Sequence, residues 1–106
     1  MGPEPRAISV ISVSELLHGV HRAQGARRAA RLAFVEHLIA AIEPVPITTP
    51  VARVHAQLWA DLAARGQVPG AHDLWIGATA KSHGWPLATL DREDFSRIDG
   101  LELVAL

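Results

Sequence analysis

A chain of 106 residues with 49% hydrophobic and 20% charged side chains is long enough for one folded domain and too short for two. It has no cysteine, which excludes disulfides and thiolate zinc sites and fits a reducing cytoplasm, and we expect neither a signal peptide nor a membrane span. The formal net charge of −1 argues weakly against general nucleic-acid binding, which would then need a local basic patch or a bound metal ion.

The beginning of the chain predicts a strand followed by a helix. Residues 7–11 are mostly β-branched and predict a short buried strand. The next segment, 13–23, predicts a helix that Ser12 or Ser14 caps. Glu15 lies three residues after Ser12, which is the spacing of a capping box.

The rest of the chain predicts helices that alternate with strands. Their approximate bounds are 26–42, 49–65 and 71–83 for the helices, 45–48, 86–90 and 101–106 for the strands, and 91–98 for a turn with one helical turn. Pro50 at a first helical position and Gly84 after a last helical turn mark two of these boundaries. Such alternation predicts an α/β fold, in which helices cover both faces of a mostly parallel sheet.

Acidic residues are predicted to gather at one end of this sheet. Glu15 follows the first predicted strand, and Asp91 follows the strand at 86–90. Asp73 begins the fourth helix, and Asp94 comes one turn after Asp91. In parallel sheets the ligand site lies beyond the carboxyl ends of the strands. Carboxylates that meet there repel one another unless a hard divalent cation such as Mg²⁺ binds between them, and such ions can activate water at a phosphodiester.

Each of these acids also has a purely structural explanation. Asp73 would favour the positive end of its helix dipole, and Glu15 would complete the capping box. Asp91 and Asp94 are common residue types in solvated turns. The hypothesis of a metal site therefore depends on the joint placement of the four acids.

Taken in order, these motifs resemble a PIN-domain ribonuclease, the VapC-type toxin of a type II toxin–antitoxin pair. The matching positions are Ser14-Glu15-Leu16, Gly19, Gly66, Asp73-Leu74-Trp75-Ile76, Ala78, Ala80, Gly84, Pro86-Leu87, Thr89, Asp91, Asp94-Phe95, Gly100 and Leu101. Gly77 stands where alanine is more usual in the family. The resemblance spans nearly the whole chain.

The resemblance implies a PIN-like three-layer α/β/α fold, a single domain over residues 1–106, and hydrolysis of RNA phosphodiester bonds with Mg²⁺ or Mn²⁺. Glu15 would be the second of the family's four acids, Asp73 the third, and Asp91 or Asp94 the fourth. All four are candidate catalytic and metal-binding residues, and Thr89 would steady the site by hydrogen bonding. A homodimer, a VapB-like antitoxin partner and a cytoplasmic location are also implied.

One part of the family pattern has no counterpart in this sequence. The family's first strand is central in its sheet and carries the first acid, and we expect it to be missing here because the start is misassigned or the chain is trimmed. Such a chain would bind metal poorly and show weak or no nuclease activity. The alternative function is a catalytically silent PIN fragment that binds the antitoxin or a second copy of itself through the helices at 13–23 and 26–42.

The remaining polar and aromatic residues give weaker indications. The six histidines form no convincing zinc set. A basic stretch is explained most simply as a solvated helix face, and alternatively as a phosphate contact with RNA; it comprises Arg22, Arg27, Arg28 and Arg31. Trp59 and Trp75 are predicted to pack in the core, whereas Trp85 is predicted to be partly exposed and could stack on a base.

Overall fold

The computed structural model describes residues 7–89 and 92–105. The elements found in these ranges are, in chain order, β1 (Ile8–Ser9), α1 (Val10–Arg22), α2 (Gly25–Ala41), β2 (Pro44–Val45), α3 (Thr49–Ala64), α4 (Ala71–His83), β3 (Leu87–Thr89), α5 (Arg92–Phe95) and β4 (Leu103–Ala105). The chain divides into an N-terminal unit, Met1–Pro46, and a C-terminal unit, Ile47–Leu106. No helix of the described ranges is long and apolar enough to span a bilayer.

The strands pair in parallel, as the sequence predicts. In the N-terminal unit β1 pairs with β2, and Ile8 stands opposite Pro44. In the C-terminal unit β3 pairs with β4, and Leu87 stands opposite Leu103. A helical segment lies between the paired strands in each case, which is the connection that parallel pairing requires. The predicted α/β class with parallel strands is confirmed.

The start of α1 differs from the predicted start. The strand β1 ends at Ser9, and the β-branched residues Val10 and Ile11 already belong to the helix. The reason is a serine cap, because the Oγ atom of Ser9 accepts a hydrogen bond from the backbone N–H of Ile11 at 3.1 Å. The predictions that residues 7–11 form one strand and that Ser12 or Ser14 caps the helix are therefore wrong.

Much of the apolar surface of α2 remains outside the core of its unit. The helices α1 and α2 pack on each other, and Val20 of α1 and Val35 of α2 are buried. Leu32 is 42% exposed, and Phe34 is 61% exposed. This unit is thus only partly able to bury its own hydrophobic side chains.

The core of the C-terminal unit lies where α3 packs on α4. Val51 and Leu62 of α3 are completely buried, and they lie in one cluster with Leu74 and Ala78 of α4. The buried α3 residues recur at spacings of three, four and seven, so one face of the helix points inward. The helix α4 ends as predicted, because Gly84 follows it in the left-handed conformation with φ of 69°.

Gly77 allows a close approach between α4 and the segment that contains α5. A Cβ atom at this position would lie 2.5 Å from Cδ1 of Ile98 and 3.7 Å from Cδ1 of Phe95. Ile98 and Phe95 are both buried in the core cluster. The glycine that replaces the family's usual alanine is therefore matched to the isoleucine that fills its space.

The three tryptophans differ in their exposure. Trp75 packs partly buried against the core, and Trp85 is 42% exposed, so both predictions are confirmed. The prediction for Trp59 is wrong, since this side chain is 56% exposed. It follows Leu58 directly on α3, which turns it away from the inward face.

Candidate functional site

Glu15 is an exposed side chain in the second turn of α1. It is the sixth residue of the helix, whereas the sequence-based boundary made it part of the first turn. Because Ser9 caps the helix and Ser12 lies within it, Glu15 cannot be the acidic member of a capping box. The helix dipole also acts mainly on the first turn. The structural explanations offered by the sequence therefore fail for this residue.

Asp73 is the third residue of α4 and is half-buried. Its Oδ2 atom lies 3.9 Å from the position of a Cβ atom on Gly70, the residue that caps the helix without a side chain. A carboxylate in this place stabilises the helix N-terminus by about 0.3–1 kcal/mol. The dipole explanation of Asp73 is thus compatible with the structure and does not exclude a second role.

Asp94 belongs to the short helix α5 and is half-buried. The Nη1 atom of Arg97 lies 3.8 Å from its Oδ1 atom, and both side chains are 35% exposed. A pair this long and this solvated contributes at most about 1 kcal/mol to stability. Asp91, the other candidate for the fourth acid, lies outside the described residues.

Two of the candidate acids stand on elements that pack together. The helices α4 and α5 are in contact, and Gly77 lies one turn after Asp73 and faces Phe95, the residue that follows Asp94. Glu15 belongs to the other unit. The described ranges contain no group of three or more histidine or acidic side chains that could hold a metal ion. The four-carboxylate site therefore stays a prediction, of which the structure describes three positions.

Thr89 lies at the carboxyl end of β3 and is buried. Its partner in the strand register is Ala105 of β4. The predicted strand at 86–90 is thus confirmed as β3 over Leu87–Thr89, and residue 90 lies outside the described residues. The helix α5, which carries Asp94, comes next in the chain after this carboxyl end, and ligands bind beyond such strand ends in parallel sheets.

A basic hollow on the N-terminal unit is a feature that sequence reasoning undervalued. It measures about 540 Å³ and lies at the junction of α1 and α2. The residues that line it are Gly19, Arg22, Ala23, Gln24, Arg27 and Arg31. The signal in the sequence was the run of arginines, whose convergence depends on the turn between the two helices.

A buried histidine among tryptophans is a second feature that the sequence did not indicate. The ring of His55 on α3 stacks on Trp75 of α4, with centroids 3.5 Å apart and an angle of 12° between the planes. Trp59 approaches the same imidazole edge-on at 5.8 Å. Burial lowers the pKa of His55 below its ordinary value of 6.5, because the charged form loses its hydration. The imidazole acts here as a neutral aromatic ring of the core.

The chain is similar to known proteins over nearly its whole length. Residues 1–101 match the family model of the PIN domain. The chain is 36% identical over 100 residues to Ribonuclease VapC1 of Rickettsia felis, covering 93% of this chain and 75% of that protein. It is 37% identical over 105 residues to Ribonuclease VapC5 of Mycobacterium tuberculosis, covering 98% of this chain and 76% of that protein.

Solved structures of toxin–antitoxin complexes show the same fold. VapBC-5 from Mycobacterium tuberculosis, a member of the VapBC family of toxin–antitoxin systems, superimposes with a TM-score of 0.83 at 36% identity, over 94% of this chain and 81% of that one. DNA-bound VapBC from Salmonella typhimurium gives a TM-score of 0.86 at 30% identity, over 93% of this chain and 74% of that one.

Proposed function

Since the chain belongs to the PIN-domain family and to its VapC group, we propose that it is the toxin of a toxin–antitoxin pair and hydrolyses RNA phosphodiester bonds as an endoribonuclease. The observation that carries this proposal is the 37% identity to a named ribonuclease over 98% of the chain. The position of Glu15 is compatible with it, because Ser9 caps α1 and Glu15 is not the acid of a capping box.

The reaction would use a divalent cation held by carboxylates. Glu15, Asp73 and either Asp91 or Asp94 offer the hard oxygen donors that Mg²⁺ and Mn²⁺ prefer. When bound, the ion supplies an activated water and neutralises charge on the reacting phosphate. In this proposal α1 carries Glu15, and the first turn of α4 carries Asp73.

Protein partners form the second part of the proposal. We expect a VapB-like antitoxin and a second copy of the chain, because the similar solved structures are VapBC complexes. Leu32 and Phe34 give α2 an exposed apolar surface that such contacts would cover. The same surface favours the alternative function, a catalytically silent PIN fragment that binds the antitoxin or a second copy of itself.

Cleavage of RNA by the purified chain tests the proposal. We expect any cutting to require Mn²⁺ or Mg²⁺, to stop in EDTA, and to fall about 100-fold or more in Asp73→Asn, since a metal ligand contributes several kcal/mol to transition-state stabilisation. The matched control is Asp61→Asn, which changes an exposed aspartate on α3 in the same unit and should leave the rate unchanged.

Two results would contradict the nuclease proposal. Cutting by Asp73→Asn at the rate of the unaltered chain would show that Asp73 has no role in the reaction. Cutting that continues in EDTA would show that the reaction needs no metal ion. If the unaltered chain does not cut RNA but still associates with itself or with an antitoxin, and loses this association in Phe34→Ser, the silent fragment becomes the better description.

A further inference from the structure

Positive charge is concentrated in one part of the N-terminal unit. Residues 16–35 contain four arginines and two histidines and no aspartate or glutamate, although the whole chain has a net charge of −1. The local charge is therefore opposite in sign to that of the protein. Such a patch attracts anions over distances comparable with the Debye length, about 10 Å at 0.1 M salt.

The fold gathers these charges around the basic hollow. Arg22 comes from the end of α1, and Arg27 and Arg31 come from the beginning of α2. An Nη1 atom of Arg31 donates a hydrogen bond to the carbonyl oxygen of Gly19 at 3.5 Å, and Arg28 contacts Nδ1 of His21 at 3.3 Å. These contacts connect the two helices through guanidinium groups.

Among the described residues, no acid forms an ion pair with the arginines of the α1–α2 junction. Within the described part of the chain, the ion pairs of arginine involve Arg65 and Arg97, and none of the arginines at the α1–α2 junction has a carboxylate partner. Their side chains are exposed. Their guanidinium N–H groups thus remain available for an external anion, to which arginine can donate two parallel hydrogen bonds.

Helix stability explains the position of Arg22 but not those of Arg27 and Arg28. Arg22 lies in the last turn of α1, where a cation is favourable. Arg27 and Arg28 are the third and fourth residues of α2, where the dipole disfavours a cation by about 0.3–1 kcal/mol each. The first turn of α2 contains no acid, and Gln24 makes no capping hydrogen bond with its side chain. An anionic ligand would offset this unfavourable arrangement.

The hollow lies on the same helix face as a candidate catalytic acid. Arg22 follows Glu15 by seven residues on α1, which is two turns and about 10 Å along the axis. Glu15, His18 and Arg22 are all exposed on this face. A single RNA segment that passes over Glu15 can therefore also reach the arginines.

We propose that the basic hollow binds backbone phosphates of the RNA strand next to the position of cleavage, with Arg22, Arg27 and Arg31 as the phosphate-binding residues. This inference rests on the proposed ribonuclease function and adds the place on the protein at which the RNA substrate binds. Phosphate contacts position a strand without reading its sequence, so the hollow contributes affinity and register rather than base specificity.

Binding of a fluorescently labelled single-stranded RNA in EDTA tests the inference without metal-dependent cutting. For single strands, each lost phosphate contact reduces the slope of log K against log salt by about 0.7, which corresponds to about fivefold weaker binding at 0.1 M salt. The Arg27→Ala, Arg31→Ala double variant should therefore bind about 25-fold more weakly, with a slope smaller by about 1.4. The matched control is Arg53→Ala, an exposed arginine of α3 whose loss should change neither quantity.

Further variants and a competitor distinguish the loss of charge from unfolding and identify the ligand. Arg27→Lys with Arg31→Lys keeps the charge and should keep most of the salt slope, so a loss confined to the alanine variant reports charge rather than unfolding. The inference is overturned if the alanine variant binds like the unaltered chain, or if Arg53→Ala weakens binding equally. It is also overturned if polyglutamate competes as well as RNA, because the occupant is then an acidic protein segment.

Failure of the inference is distinguishable from failure of the proposed function. Arginine-dependent RNA binding without any cleavage in Mn²⁺ would contradict the nuclease function and leave the hollow as an RNA-binding site. Metal-dependent cleavage together with an RNA affinity that is unchanged in the double alanine variant would contradict the inference and leave the nuclease function intact.

Discussion

The contact between Gly77 and Ile98 predicts strong energetic coupling between two positions of the C-terminal core. In Gly77→Ala the new Cβ atom would lie 2.5 Å from Cδ1 of Ile98, which must then move by about 1 Å to reach an ordinary contact of 3.4–4 Å. Ile98 is only 2% exposed, so its methyl group has little free space. We expect overpacking of about 1–3 kcal/mol to oppose a helix-propensity gain of about 1 kcal/mol, for a net loss of roughly 0–2 kcal/mol.

Removing the isoleucine methyl group should reverse this effect. Ile98→Val deletes Cδ1 and alone lowers the free energy of unfolding by about 0.5–1.5 kcal/mol. The next neighbours of the new Cβ atom are then Phe95 at 3.7 Å and Leu101 at 3.8 Å, which are ordinary contacts. In the valine background Gly77→Ala should therefore stabilise the protein by up to about 1 kcal/mol.

Urea denaturation of the four proteins of this double-mutant cycle measures the coupling. We expect the double variant to lose about 1–3 kcal/mol less unfolding free energy than the sum of the losses in the two single variants. This difference is the overpacking that Ile98→Val relieves. Additivity within about 0.5 kcal/mol would refute the reasoning, because it would mean that Ile98 moves away without cost. Since Phe95 follows Asp94, the single variant Gly77→Ala should also lower RNA cleavage, and Ile98→Val should restore it.

Two further predictions concern the cap of α1 and the buried histidine. Ser9→Ala should lower the free energy of unfolding by about 0.5–2 kcal/mol, because Ile11 loses the acceptor of its N–H. In the same urea denaturation Ser12→Ala should be neutral or slightly stabilising, since it replaces a residue inside the helix by a better helix former; equal losses in both would contradict the observed cap. His55 has a lowered folded-state pKa, so it binds protons more weakly in the native than in the unfolded chain. The contribution of neutral His55 to the free energy of unfolding is therefore complete above pH 6.5. It is lost as the pH falls from 6.5 through the folded-state pKa. Melting temperatures between pH 7.5 and 5 should fall less in His55→Phe, which keeps a ring against Trp75 without a titrating group, and an unchanged pH dependence would contradict this role.

The sequence predicted best the elements whose signals are local and mutually consistent. Pro50 predicted the start of α3, and Gly84 predicted the end of α4. Trp59 was misplaced because an aromatic residue in an apolar helix can lie on either side of the buried stripe. The stacking of His55 could not be predicted, because it depends on how α3 packs against α4.

The candidate site shows why a small shift of a helix boundary matters for a functional interpretation. In the sequence Ser12 and Glu15 have the spacing of a capping box, and this explanation competes directly with catalysis. The structure starts α1 at Val10 because Ser9 supplies the cap, and Glu15 thereby changes from a first-turn to a second-turn residue. A local hydrogen bond thus removes the capping-box explanation of Glu15, whereas Asp73 keeps its dipole explanation, since it remains in a first turn.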